Sequence, residues 1–438
     1  MSVSTHGGGD RRMLRTNAQQ LALLLLVAFA LRLGAGLAWQ SRLGDARFGF
    51  GDSESYWRLG RAIAQGKPYA AGPDARVFRT PGYPLLLAPI FLLAGSEASV
   101  LWARAESALF GVLAVGGVWW LARRLSDQRA AMAAAAMAAI YPGVVILGGL
   151  VLSEAPFLPL LILQLSLWTA AWQCRTPGKA TASAVVAGLA AGAATLVRPS
   201  WLLFTPFALA VAMLASGPRR RHLGLGGALL LGLVIAMTPW WIRNALVTGR
   251  FVPTTLQVGA SLYDGLNPTA TGASNMDFVP AMVAAERRDP AGEGGDPADS
   301  FEYRLDQRMR HEALAWAQTH PGRVVELAGI KFLRLWNVWP NEAKFSIWPI
   351  RIAVLVSYVP IVALGLWGAW RTLGRGWPYW LCWLPAVYLT ALHLVFVSSI
   401  RYREPAMLAL MVLAAGMVVR SPRGHGGEDA GSTVARRQ

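Results

Sequence analysis

Apolar residues come along this chain in long runs, near 21–39, 98–122, 128–149, 153–173, 180–197, 200–216, 223–245, 349–370, 377–397 and 403–420. Each run is close to the roughly 20 residues that carry an α-helix across about 30 Å of hydrocarbon. The pattern therefore predicts about ten membrane-spanning helices and an all-α polytopic membrane protein. In lipid the backbone must satisfy its own hydrogen bonds, which helices do within one segment. The first run is long enough to span and lacks a clear cleavage site, so it reads as a helix and not as a removed leader. No internal repeat stands out, which weakens a transporter built from paired repeats.

Most of the remaining length falls in two segments, 40–97 and 246–348, both on the same side of the expected membrane domain 21–420. The first holds an amphipathic stretch from Glu54 to Gln65, with Tyr56, Leu59 and Ile63 at helical spacing. Gly72 and Pro73 then break the chain, and the apolar stretch 83–94 is too short to span, so it reads as an interfacial helix. The second segment has a Gly/Asp-rich linker near 289–299 and amphipathic helices near 300–318 and 323–337. In the last of these, Val324, Leu327, Ile330 and Leu335 are expected toward lipid, with Arg323, Lys331 and Arg334 reaching to water. The tails, 1–20 and 421–438, are rich in Gly, Ser and Arg and read as disordered and cytoplasmic.

Composition sharpens this picture. Of the 438 residues 54% are hydrophobic and only 15% charged, against about a quarter charged in soluble domains. The net charge of +17 invites a nucleic-acid reading, so its location decides the matter. With the amino terminus inside, the cytoplasmic connectors and tails hold seventeen basic and four acidic residues, which accounts for thirteen of the seventeen surplus charges. That is the positive-inside pattern of a bacterial inner-membrane protein; no nucleic-acid partner is needed, and the long segments face the periplasm. Cys174 and Cys382 lie toward the cytoplasm, where a structural disulfide is not expected. There is no P-loop, no dinucleotide fingerprint and no metal-spaced His/Cys/Asp cluster.

Candidate chemistry sits on the long-loop face. Gly51-Asp52-Ser53-Glu54 follows the first run and opens a helix. A carboxylate there could strip the proton from an attacking hydroxyl, or Asp52 or Ser53 could cap the helix. Residues two apart on a helix point about 200° away from each other, so Asp52 and Glu54 cannot share one cleft equally, and Asp52 is the first choice. Arg79 stands in Arg79-Thr80-Pro81-Gly82-Tyr83-Pro84, either as a phosphate ligand or as a snorkelling side chain. Glu154 is a lone carboxylate at the membrane edge, functional or a helix start. Arg243 ends the seventh run. Arg401 and Arg403, in Arg401-Tyr402-Arg403-Glu404-Pro405, stand in a short outer loop where positive charge calls for an anion, either a lipid phosphate or Glu404. Arg32, Arg104, Glu106 and His393 lie within runs and read as internal partners.

In order and sidedness these motifs resemble the lipid-carrier-dependent glycosyltransferases of the GT-C superfamily. The likeness is to the branch of bacterial protein O-mannosyltransferases, the lipid A aminoarabinose transferase and the rhizobial galacturonosyltransferase-like group. The resemblance covers about residues 20–420 and implies a catalytic role for Asp52 with Glu54 auxiliary. It implies substrate binding by Arg79, Glu154, Arg243, Arg401 and Arg403, a polyprenyl-phosphate sugar donor, and a lipid, glycan or protein acceptor. In the family pattern two acids are often adjacent; here Ser53 separates them. No cofactor is required by the resemblance; some relatives admit a divalent metal near the acid, and the sequence offers no dedicated cage for one. The rival readings are a transporter or flippase of a lipid-linked sugar and a non-catalytic envelope assembly protein.

Overall fold

The computed structural model describes residues 7–215, 217–289, 298–339 and 347–419, with side chains from residue 17 onward. Among these residues the fold is all-helical, and the tail 421–438 and most of the linker near 289–299 lie outside them. The first helix, α1 (Gly7–Leu43), begins inside the segment expected to be disordered.

Among the described residues six helices are long and apolar enough to cross a membrane, and four shorter apolar stretches accompany them. The six include α1, α4 (Val100–Leu125), α7 (Glu154–Gln173), α8 (Pro177–Val197) and α10 (Arg219–Thr248). The sixth contains α15 (Trp348–Thr372). The run 128–149 is split into α5 (Gln128–Ile140) and α6 (Pro142–Leu147). The break has a local cause: Pro142 disfavours helical geometry at the residue before it, and Tyr141 is extended at φ −62°, ψ 118°. The three remaining runs are likewise shortened, to α9 (Phe204–Ala215), α16 (Leu384–Val395) and α17 (Glu404–Val418). Nearly every residue of α17 is buried, and it packs against α15, α5 and α4. A helix apolar on all sides belongs at a bundle centre. Helices α8 and α10 approach closely through Gly188 and Gly232, where an added Cβ would strike Leu229 O and Val185 O respectively.

The long segments fold onto one end of this bundle. Helix α2 (Gly51–Ala64) packs on α3 (Gly82–Ala94), with Tyr56 and Tyr83 rings 5.2 Å apart and Trp57 and Phe91 rings 4.4 Å apart. The second long segment supplies α11 (Val258–Gly265), α12 (Val279–Arg288), α13 (Phe301–Thr319) and α14 (Pro321–Leu335). On α14 the expected faces are rearranged. Leu327, Leu335 and Lys331 are buried, and the exposed apolar side chains are Val325, Phe332 and Leu333. Lys331 turns inward because three carbonyls await its ammonium: Gly265 at 2.9 Å, Val395 at 2.6 Å and Leu394 at 3.3 Å. Burial lowers this lysine from its ordinary 10.5 to about 8, opposed by Asp264.

Candidate active site

Helix α2 starts where α1 leaves the bundle. Its N-cap is Phe50 and no side chain caps it, so neither Asp52 nor Ser53 serves that purpose. Asp52 lies in the first turn, where the helix dipole favours a carboxylate. Its Oδ1 accepts a 2.5 Å bond from Arg79, and its Oδ2 is 3.7 Å from the Arg401 guanidinium. Glu154, buried at the first turn of α7, is 3.6 Å from the same Arg401 and 2.7 Å from Arg198. The five side chains form one alternating series: Arg79, Asp52, Arg401, Glu154, Arg198. Side chains from both ends of the sequence meet here, on the face to which the long loops fold. Three guanidiniums against two carboxylates leave the series with one positive charge.

The arginines are braced by aromatic faces. Arg79 lies over Tyr56 and Phe78, at 5.1 and 4.8 Å. Arg401 donates to the Tyr402 hydroxyl at 2.8 Å, and that ring also stacks on His393 at 4.4 Å. Burial opposes the charge on both guanidiniums, but the neighbouring tyrosines and carboxylates outweigh it and hold both above the ordinary arginine value.

Asp52 and Arg401 border a cavity of about 370 Å³, whose wall also includes Gly49, Ser274, Arg334, Ser399 and Tyr402. A smaller apolar recess of about 80 Å³ adjoins it, lined by Ile146, Leu147, Leu150, Ile350 and Val354. Phe50, Ser399 and Arg401 line both. Arg401 thus stands where a polar chamber passes into an apolar one. The far wall depends on Gly272, at φ 83°, whose carbonyl accepts from Ser398 N at 2.9 Å; a side chain there would be strained.

Three of the seven sequence candidates are elsewhere. Glu54 is exposed and borders neither space, because two residues along the helix it is rotated away from Asp52. Arg243 is laid between Tyr69 and Trp240 and donates to the carbonyls of Tyr69 and Arg76 at 2.8 and 3.0 Å, fastening the first long loop. Arg403 is buried with its guanidinium 3.7 Å from the Tyr358 ring centre, and donates to the carbonyls of Leu335 and Asn337. It satisfies the carbonyl end of α14, a standard need of a helix terminus. Arg104 likewise bonds Gln40 and the Gly149 carbonyl, and Arg32 bonds carbonyls of α5. Arg198 and Arg334 were not among the candidates. Arg198-Pro199 lies in a short connector between two apolar runs, a charged residue where apolar sequence is otherwise continuous, as Arg401 is.

The two carboxylates at the site are each bonded to arginine, and among the described residues no group of three or more His, Cys, Asp or Glu gathers. Their donor set does not form a cage for a divalent ion.

Residues 78–242 match the family model of the dolichyl-phosphate-mannose-protein mannosyltransferases. That stretch contains Arg79, Glu154 and Arg198 and stops one residue short of Arg243. No curated protein matches the sequence. Among solved structures, the archaeal oligosaccharyltransferase AglB from Archaeoglobus fulgidus, in complex with an inhibitory peptide and a dolichol-phosphate, superposes with a TM-score of 0.57. The match is at 18% identity over 91% of this chain and 50% of that one. Its apo form gives 0.56 at 16% identity over the same shares. ArnT from Cupriavidus metallidurans, bound to undecaprenyl phosphate, gives 0.45 at 17% identity over 91% of this chain and 77% of that one. The chain spans about half the length of AglB.

Proposed function

We propose a glycosyltransferase of the GT-C superfamily that draws its sugar from a polyprenyl-phosphate carrier, a reading supported by the family match over residues 78–242 and by the likeness of fold to AglB. It passes that sugar to a lipid, glycan or protein acceptor of the envelope, on the periplasmic face. The observation that carries this reading is the position of Arg401, at the junction of a polar cavity and an apolar recess, beside a carboxylate on either hand. A phosphate joined to a hydrocarbon tail has that same division. The tail fits against Ile146, Leu150 and Val354, the phosphate against Arg401, and the sugar in the polar space beside Asp52. The single surplus positive charge of the series matches the single negative charge of a phosphodiester.

The reaction is a single displacement. The acceptor oxygen bonds to the anomeric carbon as the bond from that carbon to the phosphate oxygen breaks, and the configuration inverts. The acceptor's proton goes to Asp52, for which Oδ2 is the receiving oxygen, since Oδ1 is occupied by Arg79. The leaving phosphate gains negative charge, which Arg401 is placed to meet. Glu154 and Arg198 hold Arg401 in place; Arg79 orients Asp52.

Asp52→Asn tests this. Asn is nearly isosteric, so binding of undecaprenyl phosphate to the purified protein is expected to persist. Transfer of the sugar missing from envelope material of a deletion strain is expected to fall about 10²–10⁴-fold, the usual worth of general acid–base catalysis. An Asp52→Asn enzyme with normal turnover would end the mechanism. A purified protein that translocates a lipid-linked sugar and transfers none would favour the flippase instead.

A further inference from the structure

The segment that delivers Arg79 has no regular structure between Ala71 and Thr80 apart from one bridge, Gly72 to Ala75. Its course is set by groups outside it. Tyr69 Oη donates to the carbonyls of Arg79 and Thr80 at 3.1 and 3.0 Å, and Val77 O accepts from Leu256 N at 3.0 Å. Ala71 and Ala75 N–H bond within the segment, and the N–H groups of Arg76 and Val77 are taken by Glu302 on α13 at 2.7 and 3.0 Å. Glu302 is buried, and burial raises its carboxyl above the ordinary value against the pull of those two N–H bonds and of Arg243. A carboxylate out of water is expensive unless bonded, and here its bonds go to one turn of loop. One helical turn on, buried Asp306 accepts from Gly259 N at 2.6 Å and pairs with Arg310 at 2.7 Å. Gly259 opens α11, which leads to Asp264, whose carboxylate accepts from Ser274 Oγ at 2.7 Å on the cavity wall. Helix α13 therefore grips the approach to both sides of the cavity.

We propose that Glu302 is a positioning residue for transfer: by binding the backbone at Arg76 and Val77 it sets where Arg79 stands against Asp52. It touches neither substrate nor carrier. The proposal rests on the reading of Asp52 as the base, and a fully active Asp52→Asn enzyme would sink that reading on its own, whatever Glu302 does.

The test uses the full chain in lipid nanodiscs and in membranes of a deletion strain. Glu302→Ala is expected to speed amide exchange in 69–80, to lower the initial transfer rate by about 10–100-fold, as a misplacement near 1 Å does, and to leave undecaprenyl phosphate binding within about twofold. Adding Glu302→Ala to Arg79→Ala should lower the rate no further, because both changes release the same carboxylate. Glu302→Gln keeps an acceptor oxygen for the two N–H groups and should recover most of the rate; it also decides the matter if the Ala variant does not fold. Asp306→Ala, at a buried carboxylate on the same helix, should lose rate that multiplies with the Arg79→Ala loss. Multiplying losses for Glu302 and Arg79, no recovery with Gln, or faster exchange at a wild-type rate would each overturn the proposal.

Discussion

Arg401 allows the assignment of the phosphate site to be tested quantitatively. Its guanidinium is 3.7 Å from Asp52 and 3.6 Å from Glu154, yet neither acid depends on it alone. Asp52 keeps Arg79 at 2.5 Å and Glu154 keeps Arg198 at 2.7 Å after Arg401→Ala. The fold should therefore tolerate the change, since no buried carboxylate is left without a cation. The charge series falls from one surplus positive charge to none. A charge-assisted hydrogen-bonded contact contributes about 1.5–3 kcal/mol, which is about 10–150-fold in affinity at 1.36 kcal/mol per decade. Titrating purified protein with undecaprenyl phosphate reads this directly, and undecaprenol, which has the tail without the phosphate, supplies the control. Arg401→Ala should lose that factor for the phosphate and nothing for the alcohol. Arg401→Lys should recover only part, because an ammonium lacks the planar fork. Equal affinity of wild type and Ala variant for undecaprenyl phosphate, with undecaprenol unchanged, would refute the assignment. An equal loss for both ligands would show that the variant had disturbed the apolar recess instead.

Glu54→Gln should leave transfer within about twofold of wild type, since the side chain is exposed and borders neither space; a loss comparable with that of Asp52→Asn would restore a catalytic part for it. Lys331→Met leaves the carbonyls of Gly265, Leu394 and Val395 without their shared donor and should lower thermal stability at pH 7. Because Lys331 titrates near 8 in the fold against an ordinary 10.5, the unfolded chain binds more protons in that window, so this group stabilises the fold as pH rises through it. The melting-temperature gap between wild type and Met variant should widen from pH 8 toward 10.5, and a narrowing gap would contradict the lowering of Lys331 by burial.

The helical class and the two long loops were legible because hydrocarbon thickness sets the length of an apolar run. The ends of the runs were not. Tyr141 breaks a run that composition alone reads as continuous, and only the identity of the next residue, Pro142, marks the place. On α14 the period of the apolar positions was correct but its direction was not. An amphipathic helix buries its apolar stripe in protein as readily as in lipid, and the sequence does not say which one is adjacent. Lys331 shows the consequence: a long cation beside an apolar stripe can snorkel outward or meet carbonyls inward, and those carbonyls come from segments 64 and 66 residues away.

The arginines divide on the same physical ground. All stand at the end of the bundle to which the long loops fold, where a guanidinium needs partners, and the available partners are of two kinds. Arg243 and Arg403 meet backbone, at the first long loop and at the terminus of α14, and donate to carbonyls there; Arg403 also stands 3.7 Å from Glu404, its neighbour in sequence. Arg79, Arg198 and Arg401 found carboxylates. A carbonyl bonded to arginine offers it only a dipole, whereas a carboxylate from another element fixes both charges at a known place. On the mechanism proposed above, only the second kind gives a site whose field is set before substrate arrives, with Asp52 as the proton acceptor and Arg401 as the cation for the leaving group. Sequence order cannot distinguish the two kinds, because each carboxylate partner is distant along the chain: Asp52 is 27 residues from Arg79, and the helices from α8 to α16 separate Glu154 from Arg401. What sets Arg79, Arg198 and Arg401 apart from Arg243 and Arg403 is therefore not their place at this end of the bundle, which all five share, but that an acid reaches them from another element.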